Sequence, residues 1–169
     1  MSDTENLTAD LSLRTEPRPD DVAAVRELVR STDFFSADEI AIAAELVAER
    51  LARGPESGYE FLLAERDGAL VGYSCYGLIP CSTVSWDLYW IAVAADAQGS
   101  GLGRRLLRLT EDRVRAAGGL ALYAETSGRE QYHPTRAFYR RCGYLVAAVF
   151  EDFYATGDAK YVFVRRLQP

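Results

Sequence analysis

A run rich in β-branched and aromatic residues, Thr83 to Ala94, leads into Asp96-Ala-Gln-Gly-Ser-Gly-Leu-Gly103, and from there Leu102, Leu106 and Leu109 recur at helical spacing. A strand, a glycine-rich turn and a helix in that order demand a mixed α/β architecture. Glycines at three alternate positions permit positive φ and close approach of a ligand to the backbone, so consecutive amides can converge on one anion. The helix behind the turn aims its free amides and the positive end of its dipole at the same place. Arg104, Arg105 and Arg108 oppose that dipole at about 0.3–1 kcal/mol each, so their presence suggests a compensating anion. The dinucleotide pattern GxGxxG needs glycine where Arg104 stands, and a P-loop needs Gly-Lys-Ser/Thr, which is absent.

With 169 residues, 49% hydrophobic and 26% charged, the chain reads as one domain over residues 11–169 behind a disordered tail, residues 1–10. Folding at this length removes roughly 70% of the extended chain's surface from water, enough for a core without disulfide or metal. No apolar stretch approaches the roughly 20 residues a spanning helix needs, and the N-terminus is polar and acidic. The reading is cytoplasmic, without membrane association. Cys75, Cys81 and Cys142 lack CxxC spacing, and His133 is the sole histidine, so neither a metal site nor a disulfide framework is expected. Net charge is -6, which argues against nucleic acid, but it is unevenly spread. Residues 1–66 hold 15 acids against 7 Arg, whereas residues 98–141 hold 9 Arg against 4 acids. Ligands of opposite sign could be served by the two regions.

The remaining elements follow from period and punctuation. Leu11 to Glu16 alternates as a short strand, and Pro17 to Asp21 breaks it; Val22, Val25 and Val29 mark a helix that Asp20 or Asp21 could cap. Ser36-Ala-Asp-Glu39 is a capping box, followed by Ile40, Ala43, Val47 and Leu51 on one helical face. From Tyr59 the period is two, with Phe61, Leu63 and Glu65 on one side; Asp67-Gly68 turns the chain into Ala69 to Leu78, and Pro80 ends that strand. The glycine-loop helix ends at Gly118-Gly119, Ala121 to Ser127 is a strand, and Pro134 to Cys142 is a short helix closed by Gly143. Two strands, Tyr144 to Tyr154 and Lys160 to Arg166, finish the chain.

The glycine loop resembles the signature of the GNAT superfamily of acyl-CoA-dependent N-acyltransferases, Gln/Arg-x-x-Gly-x-Gly/Ala at a helix start, met here by Gln98, Gly101 and Gly103. Ala137-Phe-Tyr-Arg-Arg-Cys-Gly-Tyr144 is similar to that family's second hallmark, Phe/Leu-Tyr-x-x-x-Gly-Phe/Tyr at a helix end. The resemblance implies a mixed, mostly antiparallel sheet of about seven strands flanked by four helices and splayed between strands 4 and 5. It implies acetyl-CoA as co-substrate, its pantetheine arm against Ile91, Ala92 and Val93. Its pyrophosphate would sit on the amides of Gln98, Gly99, Ser100, Gly101, Leu102, Gly103 and Arg104. Many relatives carry a cofactor-contacting Asn in the loop before the last helix; this chain reads Glu130-Gln-Tyr-His-Pro134, where Tyr132 or His133 could substitute.

Acetyl transfer from a thioester to an amine needs a neutral nucleophile and a proton for the departing thiolate. Tyr139 falls at the family's general-acid position. Tyrosine near pKa 10 and a thiol near 8.5 differ by only about 1.5 units, roughly 2 kcal/mol, so proton donation is feasible. By spacing alone Tyr139 is a core aromatic, but Ala137, Phe138 and Cys142 already give the helix an apolar side, which leaves Tyr139 freer to project elsewhere. Glu125 ranks first as proton acceptor and Asp87 second; as ordinary carboxylates they would need burial or a water relay. Asp87, Tyr89 and Tyr123 are candidate acceptor contacts. Phe34, Phe35, Phe153 and Tyr154 with the acidic first half suit a small cationic amine or a peptide N-terminus, and Asp152 to Asp158 resembles the strand-loop of relatives that acetylate N-termini. A homodimer is compatible with the sequence. The competing class is a non-catalytic acyl-CoA sensor or partner-binding module of the same fold.

Overall fold

The computed structural model describes residues 11–167, so the expected tail lies outside the described residues. The elements are β1 (Leu11–Arg14), α1 (Asp21–Ser31), α2 (Ala37–Arg53), β2 (Glu60–Arg66), β3 (Ala69–Leu78), β4 (Ser85–Val93), α3 (Leu102–Ala116), β5 (Ala121–Ser127), α4 (His133–Arg141), β6 (Leu145–Ala155) and β7 (Asp158–Arg166). Strands hydrogen-bond in the order β1-β2-β3-β4-β5-β7-β6. β4 and β5 are parallel, whereas β1–β2, β2–β3, β5–β7 and β6–β7 are antiparallel, as the GNAT resemblance implies. The β4–β5 register pairs Ser85–Leu88 with Ala121–Ala124, while β4 itself continues to Val93 and β5 to Ser127. Compactness divides the chain into two units, one of residues up to Gly77 with Trp90–Thr110, the other of Leu78–Tyr89 with the chain from Glu111 onward.

In the first unit, apolar side chains from α1 (Val25, Val29), α2 (Ala43, Val47), β2 (Phe61, Leu63) and β3 (Tyr73) are fully buried. β2 is buried on both faces from Phe61 to Ala64, so its alternation is weaker than the sequence suggests. The Ser36 hydroxyl accepts from the Glu39 amide and the Glu39 carboxylate from the Ser36 amide, closing the expected capping box. On α2 the buried position behind Val47 is Arg50 rather than Leu51: Arg50 donates to the Tyr59 carbonyl and the Glu16 carboxylate, leaving Leu51 exposed. Neither aspartate caps α1 with its side chain. Asp21 instead accepts from the Arg18 amide and takes both Nη atoms of Arg14 at 2.6 and 2.7 Å.

In the second unit, β5 lies between the Ser85–Leu88 stretch of β4 and β7, and Tyr144, Phe163, Leu122 and Leu167 are fully buried. α4 ends in a Schellman motif: the Tyr144 amide donates to Tyr139, the Gly143 amide donates to Arg140, and Gly143 has φ 84°. The segment Asp152–Asp158 is the end of a strand and a tight turn. β6 runs through Ala155 and β7 starts at Asp158, because the Asp152 carboxylate accepts the Gly157 amide and tightens the turn.

Candidate functional site

The glycine turn lies within the first unit. Gly99 (φ 76°) and Gly101 (φ 85°) take the left-handed conformation that L side chains rarely adopt, and at both positions a Cβ would meet no protein atom within 4 Å. Gly103 departs from the expectation: it lies inside α3, where its helical backbone needs no special freedom. Arg105 donates to the Gly101 carbonyl at 3.0 Å, making Gly101 the N-cap, so the amides of Leu102, Gly103 and Arg104 belong to the turn that has no intrahelical acceptor. Ser100 Oγ donates to the Ala97 carbonyl at 2.6 Å and accepts weakly from Leu102, which fixes the loop. Arg104, Arg105 and Arg108 are exposed around this helix start. Open space, first-turn amides without an intrahelical acceptor and three cations fit a polyphosphate. Gln98 Nε2 donates to the Val93 carbonyl at 3.3 Å, tying the loop to the strand end. Ala92 is buried, and Ile91 and Val93 are half-buried.

The carboxylates lie in the second unit on one face of the sheet. Asp87 stands opposite Tyr123 in the parallel register, Glu125 is the next residue on that face of β5, and it stands opposite Val162. Lys160 of β7 shares the face and donates to Glu125 Oε1 at 3.1 Å. Its ammonium also sits over the Phe153 ring at 4.1 Å and the Phe150 ring at 5.7 Å. Glu125 is 49% exposed and Lys160 only 15%. Burial first and the Glu125 charge second push the Asp87 carboxyl above its ordinary range, against a lowering by Lys160. Tyr89 follows Asp87 on the same face of β4 and is half-buried, as Tyr123 is.

Tyr139 occupies the opposite face. Its ring packs against Phe163 at 5.3 Å and Tyr144 at 5.5 Å, and Phe163 pairs with Ala124, whose side chain points away from that of Glu125. The phenol is 5% exposed, so the expectation that it projects away from the apolar side is corrected: it is part of the aromatic core. Burial raises its pKa above 10. Tyr144 beneath it neighbours Glu111, whose carboxyl burial also raises. Tyr132 is buried with Arg129 over its ring at 5.4 Å, and His133 is exposed at the first position of α4. The three cysteines are free, and among the described residues no group of three or more His, Cys, Asp and Glu is placed to hold a metal. None of the described helices is long and apolar enough to cross a membrane.

Lys160 escaped the sequence reading, although a signal was there: it is the only lysine in a chain whose other Lys and Arg positions are all arginine. Arg136 was missed as well. It is buried and donates to the carbonyls of Ser127 at 2.8 Å and Arg129 at 2.9 Å, pinning the loop before α4.

The sequence profile of the Acetyltransferase (GNAT) family matches residues 22–144. The IAA acetyltransferase of Azospirillum brasilense is 41% identical over 96 residues, 55% of this chain and 59% of that protein, so the chain spans about three-fifths of that relative's length. A solved structure from Desulfovibrio desulfuricans, described as a GNAT-family acetyltransferase, superposes with a TM-score of 0.92 at 44% identity, covering 94% of this chain and 99% of that one. An aminoglycoside 6'-N-acetyltransferase complexed with coenzyme A superposes with a TM-score of 0.73 at 19% identity, covering 94% and 97%. That second likeness is one of fold.

Proposed function

The chain belongs to the acetyltransferase (GNAT) family, and from that premise we propose that it moves an acetyl group from acetyl-CoA to a primary amine by direct attack in a ternary complex. The observation that carries the reading is the Gly99–Gly101 turn, where open space meets the first turn of α3, whose amides have no intrahelical acceptor. In this reading the amides of residues 98–104 and the nearby arginines hold the coenzyme's diphosphate. The backbone of Ile91, Ala92 and Val93 receives its pantetheine arm, with Gln98 occupying the Val93 carbonyl. The bound coenzyme supplies an activated acyl thioester.

The acceptor in this reading carries an ammonium group. Asp87 and Glu125 offer two carboxylates on that face, only Glu125 holding the Lys160 ammonium, with Arg166 farther along it opposite Ala121, and Tyr89, Tyr123, Phe150 and Phe153 border it with aromatic surface. A small cationic amine and a peptide N-terminus both meet that description. The carboxylate pair receives the cation and one of its protons, and Tyr139, on the reverse face, supplies a proton to the leaving sulfur. Burial raises its pKa, which keeps it protonated as a donor but makes the transfer to a thiolate of pKa about 8.5 more uphill than from an ordinary tyrosine, so donation has to be concerted with departure of the sulfur.

Thiol release from acetyl-CoA, followed against a panel of polyamines, amino acids, amino sugars and peptides, tests the proposal. Amine-dependent release is expected for at least one cationic acceptor. Tight coenzyme binding with no release above spontaneous hydrolysis for any acceptor would overturn it.

A further inference from the structure

The two carboxylates on the acceptor face are chemically alike, yet a proton-transfer site works best when neighbouring acids are forced into different states. The structure contains an asymmetric device. Lys160 donates to Glu125 Oε1 at 3.1 Å, and two rings of β6, Phe153 at 4.1 Å and Phe150 at 5.7 Å, hold that ammonium in place as a cation. Asp87 has no such partner on this face. It stands across from Tyr123, half-buried, with Glu125 as the next residue on the neighbouring strand. The groups sharing its face within its unit are therefore Tyr123 and Glu125 from β5 and Lys160 and Arg166 from β7, beside Tyr89 on its own strand; of the two cations, Lys160 is the one that bears on the Asp87 carboxyl.

We infer that Lys160 is a positioning residue: by keeping Glu125 an anion, it makes Asp87 the carboxyl that accepts the proton of the incoming ammonium. The inference rests on the acetyl-transfer reading above and deepens it. A carboxylate already sharing an ammonium is a weak proton acceptor, because protonation forfeits that attraction. The unpartnered carboxylate beside it feels mainly burial and repulsion, and both favour taking up a proton, as the upward shift of Asp87 agrees. When Asp87 accepts a proton from the acceptor's ammonium, an N–H bond is exchanged for an O–H bond. The amine is left neutral, with its lone pair free, and Glu125 retains its charge.

The test is a carboxyl-¹³C NMR titration of the full chain without coenzyme, the Asp87 and Glu125 signals assigned with D87N and E125Q, run beside the pH profile of kcat/KM. In the wild type Asp87 is expected to titrate above the ordinary aspartate range. In K160M, and independently in K160Q, both midpoints should rise, that of Glu125 by about 0.7 pH unit or more, which a unit charge near contact distance produces even when screened by water. The acid limb of kcat/KM should move to higher pH with Asp87, and K160R, which keeps the charge, should restore both. Unchanged midpoints and an unchanged limb in both neutral variants would overturn the inference, as would a wild-type Asp87 titrating no higher than an ordinary aspartate. A wild type that releases no thiol with any amine contradicts the acetyl-transfer reading instead; the NMR midpoints then decide the part played by Lys160 on their own.

Discussion

The amide of Tyr144 donates to the carbonyl of Tyr139 at 3.0 Å, and their rings pack with centroids 5.5 Å apart. Both contacts belong to the Schellman close of α4, in which the residue after a left-handed glycine folds back over the last full turn of the helix. The helix end and the candidate acid are thus one structural object, hinged at Gly143.

Gly143→Ala should therefore cost about 1–2 kcal/mol, the price of holding an L residue at φ 84°, with the Arg165 guanidinium also displaced by the new Cβ. Urea unfolding measures the loss. Turnover should fall further than coenzyme affinity, since the disturbance lies beside Tyr139 rather than at the glycine loop.

Tyr139→Phe keeps the ring that packs on Phe163 and removes only the hydroxyl. Turnover is expected to drop by about 100-fold or more, the usual contribution of a positioned acid, with coenzyme affinity unchanged by calorimetry. Undiminished turnover would remove Tyr139 from the mechanism.

Gly101→Val separates two effects at one position. Since a Cβ there meets no protein atom, the fold should lose only about 1–2 kcal/mol from strain at φ 85°. Coenzyme binding should be lost, because the side chain enters the space assigned to the diphosphate. Retained affinity in isothermal titration would contradict the loop's assignment.

Asp87→Asn should trade activity for stability. The folded Asp87 carboxyl titrates above the ordinary 3.8, so from that pH upward the folded state holds more proton than the unfolded one, and stability falls as pH rises through the window. Asn escapes this loss. Relative to wild type, the variant should gain stability between pH 3 and pH 7 in thermal unfolding, while its turnover falls.

Asp21→Asn should behave in the opposite sense. Burial raises the Asp21 carboxyl, but the two Arg14 contacts and the Arg18 amide outweigh it and hold it below 3.8. Its stabilisation is present above that value and fades as pH falls through the folded midpoint. The variant should lose about 3 kcal/mol at pH 7, at the low end for a broken buried pair because Arg14 keeps Glu65, and less near pH 2.

Local rules sufficed for much of this protein. Among the described residues, period and punctuation located the four α-helices and seven strands to within a few residues, since the capping box at Ser36, the turn at Asp67-Gly68 and the glycine after α4 are decided by neighbours in the chain. The short 3-10 turns, such as Gly54–Ser57, were not located. The glycine loop was legible for the same reason: positive φ at Gly99 and Gly101 is a property of a few consecutive residues. Where a side chain's partner is brought to it by tertiary packing rather than by a local turn or helix, the sequence had no means of naming it. Asp21 reads as a cap but is claimed by Arg14 from β1, and Arg50 displaces Leu51 from the buried face because Tyr59 and Glu16 offer it acceptors. Tyr139 looked free to project, yet Phe163, on a strand that follows it, draws the ring into the core. The partnership of Glu125 with Lys160 spans 35 residues and exists only because β5 and β7 are antiparallel in one particular register. Composition and local spacing thus determined the elements and the glycine turn. Strand register decided which charges meet, because charge pairing depends on distance in space and a linear sequence carries that distance only for near neighbours.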